Sequence, residues 1–184
     1  MCSIRTAESV CAGHPDKLAD QIADQILDDI LYDDKAARVA VEVMAAGRRI
    51  IVTGEITTNH RPRIRESVRT ALARAGYSPL GILIYVWTRR QSSDINAGVT
   101  TSLEARGGDS SAFALQGAGD QGTVYGYATA ETPERLPLPL VLAHRICERL
   151  DTAQVEGTIC GIKSDGKAQV LSLIHISEPT RRYA

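Results

Sequence analysis

Two segments with strict two-residue alternation, residues 38–45 and 50–57, flank a turn that contains Gly47. In the first, Val39, Val41 and Val43 fall on one side and Ala40, Glu42 and Met44 on the other, and the second places Ile50, Val52 and Ile56 on one side. Such alternation suits strands with one buried face, and two of them across a short turn read as a β-hairpin. An even-length loop sets odd residues of the first strand against even residues of the second, so the valines and isoleucines form one apolar layer. The same register sends Glu42 and Glu55 to the opposite face, near one another among Thr53 and Thr57. Two carboxylates so placed call for a cation (a metal ion, a ligand ammonium or a nearby Arg) unless the face is simply solvated.

Ahead of the hairpin, Leu18, Ile22, Ile26 and Ile30 recur every fourth residue beside Ala19, Ala23, Leu27 and Leu31, which predicts a helix with one broad apolar stripe. Asp16, Asp20, Asp24 and Asp28 line the other side, where most carboxylates are solvated. The run Gly13-His14-Pro15-Asp16-Lys17 opens this helix. Pro15 suits the first helical position, His14 then caps it, and Asp16 falls among backbone N–H groups without helical partners. An imidazole, a carboxylate and an ammonium at a helix start are a place for polyphosphate and its metal, although a capped surface helix has the same letters.

A second amphipathic helix is predicted over residues 61–75, with Ile64, Val68, Ala71, Leu72 and Ala75 on its apolar side and Gly76 as terminator. The apolar run 82–87 reads as a strand fit for a central, two-sided place in a sheet. A long Gly- and Ser-rich segment then extends to Thr123. Within it, Gly117, Gly119 and Gly122 match the letters of the G-x-G-x-x-G dinucleotide fingerprint. The context is wrong, because a loop precedes the glycines and strand-like residues 123–127 follow them, which argues against a nicotinamide-linked oxidoreductase. His144, in an apolar helix over residues 138–150, reads as a satisfied helix histidine, and His60 beside Pro62 as a turn residue.

Composition narrows the class. The chain has 184 residues, a formal charge of −1 and 43% hydrophobic residues, enough for one sizeable core and the beginning of a second. That balance gives no basic field for a nucleic acid or an anionic membrane. Cys2, Cys11, Cys147 and Cys160 have neither zinc-ligand spacing nor a disulfide pattern. With no leader or spanning segment visible, a cytoplasmic location is expected.

The chain resembles the amino-terminal part of the S-adenosylmethionine synthetases (methionine adenosyltransferases). The resemblance rests on Glu8-Ser9-Val10, the run Gly13 to Lys17, Gly54-Glu55-Ile56-Thr57-Thr58, Gln91-Ser92 with Asp94-Ile95-Asn96, Gly117 to Gly122, Gly126-Tyr127-Ala128-Thr129, Ala143-His144-Arg145 and Asp165 to Val170, in family order. It implies an α+β fold of similarly built sheet-and-helix domains, here a first domain over residues 1–107 and part of a central one over 108–170. Residues 171–184 match nothing in that pattern and are expected to be a non-native tail.

The activity implied is formation of S-adenosylmethionine from ATP and L-methionine with release of phosphate and pyrophosphate; a nucleotide-binding fragment without turnover is the alternative. By the same resemblance His14 and Lys167 are catalytic, and His14, Asp165, Gly166 and Lys167 bind ATP. Glu55, Gln91 and Asp120 bind methionine, Asp16 ligates Mg²⁺, and Glu42 holds K⁺. Residues 98–116 correspond to a gating loop, and Ser93 stands where relatives often carry Pro. A homodimer or a dimer of dimers is implied, with neither nucleic acid nor membrane as a partner.

Overall fold

The computed structural model describes residues 2–92, 102–111, 114–115 and 122–175. They divide into two compact units, one from residues 1–14 together with 125–184 and the other from 15–124. Both combine helices with sheets, as expected of an α+β chain.

In the unit of residues 15–124, α1 (Pro15–Asp33) begins at Pro15 as its sequence requires. Leu18, Ile22, Ile26 and Ile30 are buried, while Asp16, Asp20, Asp24 and Asp28 are exposed. Gln25 is buried with that stripe; its amide donates to Asp29 Oδ1 at 2.9 Å, and its Oε1 has no partner among the described residues. β2 (Arg38–Ala46) and β3 (Arg49–Thr57) form the antiparallel hairpin. Its register pairs Val39 with Ile56, Val43 with Val52 and Ala45 with Ile50, as an even loop demands. Ile50, Val52 and Ile56 pack with the α1 stripe and with Ile64, Val68, Ala71 and Leu72 in one core.

The second helix, α2 (Ile64–Arg74), starts later than its periodicity suggests. Pro62 biases Arg61 away from helical torsions, and Arg63, the N-cap, stands at φ −95° and ψ 52°. The expected stop holds: Gly76 has φ 82°, and Tyr77 N–H donates to Leu72 O at 2.9 Å. β4 (Leu83–Arg89) runs parallel to β3 at the edge of a sheet ordered β2-β3-β4. The central position expected for this strand is therefore not found among the described residues. Ile84 and Val86 pack on the core, whereas Leu83 and Trp87 are 51% and 63% exposed on the other face. A short helix, α3 (Leu103–Arg106), is capped by the Ser102 hydroxyl.

In the other unit, β1 (Cys2–Val10) pairs antiparallel with β5 (Lys167–His175), from Val10 opposite Lys167 to Cys2 opposite His175. α4 (Leu138–Glu156) packs on both strands and buries Val141, Ala143 and Cys147. Its N-terminus follows Pro137, which offers no side-chain cap. Glu131 supplies the acceptor instead, taking the Leu138 N–H at 3.2 Å, and this bond together with Arg5 holds its carboxyl below the usual range. The strand expected over residues 123–127 does not form: residues 122–129 make no ladder, and Val124 and Tyr125 are almost fully exposed. No helix follows Gly122 there, which removes the remaining structural basis for the dinucleotide fingerprint.

Candidate functional site

In the unit that carries β1, the ladder between β1 and β5 does not stop at the strand ends. Cys11 N–H donates to Gly166 O at 2.8 Å, and Gly13 N–H donates to Ser164 O at 2.9 Å. These bonds fasten the loop that bears His14 to the segment that bears Asp165, Gly166 and Lys167. The approach needs a glycine, because a Cβ on Gly13 would lie 2.5 Å from the Ser164 Cβ and 2.7 Å from its carbonyl oxygen. His14 is half-buried, whereas Asp165 and Lys167 are exposed. Lys167 Nζ is paired with Glu8 Oε2, a half-exposed contact on the last turn of the ladder.

Two supports of this loop carried no local signal in the sequence. Asp151, on α4, accepts Ala12 N–H on both carboxylate oxygens at 3.1 Å. Cys11 and Cys147 are buried side by side, and Cys11 Sγ lies 3.8 Å from Cys147 O. Burial, then the Asp151 charge, pushes the Cys11 thiol up to about 12, so it is an inert structural thiol. His144 Nδ1 lies 2.8 Å from the buried Ser9 Oγ, which fits the satisfied histidine expected at that position.

In the unit of residues 15–124, Asp16 lies in the first turn of α1. Glu42 and Glu55 share one face of the hairpin: Glu42 is opposite Thr53 and Glu55 opposite Ala40, so the two carboxylates are diagonal neighbours. Val41 and Val52 belong to the other, core-packed face. The backbone before Glu55 is unusual. Gly54 has φ 123°, and a Cβ there would lie 2.2 Å from Ala40 O, so only glycine fits.

Glu55 has its cation in the chain itself. Arg89, directly opposite it in the β3–β4 register, places Nε 3.1 Å from Glu55 Oε1. Thr53, Gly54, Glu55, Trp87, Thr88 and Arg89 line a shallow depression of about 440 Å³. Among the described residues no cation is paired with Glu42, which is exposed. Gln91 follows β4 with its Oε1 buried. Asp120, Ser93 and, within the expected gating loop, residues 98–101, 112–113 and 116 lie outside the described residues.

The oxygen donors Asp16 and Glu42 suit hard cations such as Mg²⁺ and K⁺. The described residues gather no group of three or more metal-ligating side chains, so each would contribute a single carboxylate. A separate cavity of about 240 Å³ beside the start of α2 is lined by Tyr32, His60, Arg61 and Glu66 among others and contains none of the residues expected to bind substrate. No helix among the described residues is long and apolar enough to cross a membrane.

Comparison with known proteins matches residues 3–94 to the family described as S-adenosylmethionine synthetase, N-terminal domain, and residues 115–179 to its central domain. An S-adenosylmethionine synthase of Kosmotoga olearia is 46% identical over 181 residues, covering 95% of this chain and 46% of the relative. S-adenosylmethionine synthase 1 of Frankia casuarinae is 44% identical and that of Nocardia farcinica 43%, each over 175 residues covering 90% of this chain and 43% of the relative. The chain thus spans a little under half the length of these relatives.

Proposed function

Since the chain belongs to the S-adenosylmethionine synthetase family, we propose that it contributes to a site that joins the adenosyl group of ATP to the sulfur of L-methionine. The observation that carries this reading is the pinning of the His14 loop to residues 164–166 by paired backbone hydrogen bonds. It puts a hydrogen-bond donor, a carboxylate and an ammonium on one rigid ladder end, a combination suited to ATP.

In the reaction proposed, a sulfur lone pair of methionine attacks the 5′-carbon of ATP, the C–S bond forms, and the C–O bond to the triphosphate breaks. Thioether sulfur has no proton to lose, so no general base is needed. Rate enhancement must come from positioning and from stabilising the charge that grows on the leaving oxygen. His14 donates a hydrogen bond there. Lys167 turns from Glu8 to the polyphosphate at small cost, since half-exposed ion pairs contribute about 0–1 kcal/mol. Asp165 and Gly166 hold the nucleotide, and Glu55, Gln91 and Asp120 hold methionine. Asp16 would hold Mg²⁺ and Glu42 K⁺, cations that neutralise triphosphate charge when bound. Water then cleaves the released triphosphate to phosphate and pyrophosphate. We further place this chemistry in a cytoplasmic homodimer or dimer of dimers.

The test joins residues 1–175 of this chain to the carboxyl-terminal remainder of the Kosmotoga relative. With ATP, L-methionine, Mg²⁺ and K⁺, S-adenosylmethionine, phosphate and pyrophosphate should appear in equal amounts. A folded chimera that binds ATP yet forms no product would favour binding without turnover.

A further inference from the structure

The pair Glu55–Arg89 raises a question that the proposed role of Glu55 leaves open. If this carboxylate receives the methionine ammonium, its resident cation must go elsewhere. The Glu55 side chain is 13% exposed and that of Arg89 81% exposed. The carboxylate is therefore the fixed partner and the guanidinium the movable one. Their contact uses Nε alone, which leaves the two terminal nitrogens of Arg89 unused by Glu55. A guanidinium with a free edge is the side chain best shaped to take a carboxylate through two parallel hydrogen bonds.

Resting on the methionine reading of Glu55, we propose that Glu55 and Arg89 form a zwitterion clamp in which Glu55 takes the α-ammonium and Arg89 swings to the α-carboxylate. A zwitterion can enter such a pair without leaving either charge unpaired, because it brings the replacement for both. An amine without a carboxylate cannot. It would displace Arg89 from Glu55 and leave two cations facing one another, which costs affinity. Arg89 is on this account a specificity residue that selects amino acids over amines at the depression lined by Thr53, Gly54, Glu55, Trp87, Thr88 and Arg89. A purely competitive Arg89 makes the opposite prediction, since its removal would then strengthen methionine binding.

Trp87 is the single tryptophan of the chain and lines the same depression, so its fluorescence reports occupancy. The 184-residue chain is titrated with L-methionine, with methylthiopropylamine, which lacks the carboxylate, and with methylthiobutyrate, which lacks the amine. In Arg89→Met, affinity for L-methionine should fall about tenfold, the scale of losing a charge-assisted hydrogen-bonded contact, while affinity for the amine holds or rises. Arg89→Lys should restore part of the loss. Unchanged or tighter L-methionine binding in Arg89→Met overturns the clamp, whatever Glu55 does. Glu55→Gln tests the underlying reading separately: it should weaken L-methionine and the amine but not methylthiobutyrate. Failure to weaken the amine there, or no saturable response to L-methionine or the amine in the unmodified chain, counts against Glu55 as the ammonium site and removes the clamp with it.

Discussion

Asp151 takes the Ala12 N–H on both of its carboxylate oxygens, each at 3.1 Å, and so ties the loop before His14 to the C-terminal third of α4. The contact joins residues separated by most of the sequence and leaves His14 at the end of a braced segment rather than a free one. Replacing Asp151 by Ala removes a charged acceptor from a half-buried amide. The expected loss is about 1–3 kcal/mol of stability, with a lower melting temperature read by circular dichroism. Asp151→Asn, which keeps one acceptor oxygen, should retain part of it.

Cys11 gives that region a defined alkaline limit. Its thiol stands at about 12 rather than at the ordinary 9.0, through burial first and the Asp151 charge second. A folded-state value above the unfolded one means that the unfolded chain releases the proton first. The stabilisation is complete below pH 9 and is lost as pH rises towards 12, with a slope of up to about 1.4 kcal/mol per pH unit. Denaturant unfolding at a series of alkaline pH values should show this slope, and Cys11→Ala should flatten it. At pH 8, alkylation followed by mass spectrometry should find the exposed Cys160 modified well before Cys11 or Cys147.

Gly54 is the backbone feature on which the placement of Glu55 depends most closely. At φ 123°, with Ala40 O 2.2 Å from any Cβ, Gly54→Ala faces both torsional strain and a backbone clash. It should destabilise the hairpin by at least about 2 kcal/mol, read from chemical denaturation. Gly47 also has a positive φ but nothing near its Cβ position, so Gly47→Asn should be tolerated far better.

The hairpin register was legible because alternation and loop parity together leave only one arrangement that buries Val39, Val43, Val52 and Ile56. The α1 stripe and the Gly76 stop were legible for similar local reasons. Long-range pairing was not: nothing near Val10 announces Lys167, and nothing near Glu55 announces Arg89, because strand order depends on the whole chain. The apolar run over residues 82–87 suggested two buried faces, yet Leu83 and Trp87 are exposed at a sheet edge. Residues 123–127 have strand-forming letters without a partner strand among the described residues. For the candidate site, motif letters pointed to His14, Asp16, Glu55, Gln91 and Lys167, and strand alternation pointed to Glu42. Glu8 stood in a motif, but its pairing with Lys167 emerged only from the fold, as did the contacts of Asp151 and Arg89.

Under the proposed function the braced His14 loop stabilises the leaving triphosphate, and the decisive measurement is the steady-state kinetics of His14→Ala in the chimera with the Kosmotoga relative. Loss of the imidazole should lower kcat about 10²–10³-fold, the scale of losing one preorganised donor, with the methionine KM little changed. An unchanged kcat with only a raised methionine KM would rule out that role for His14.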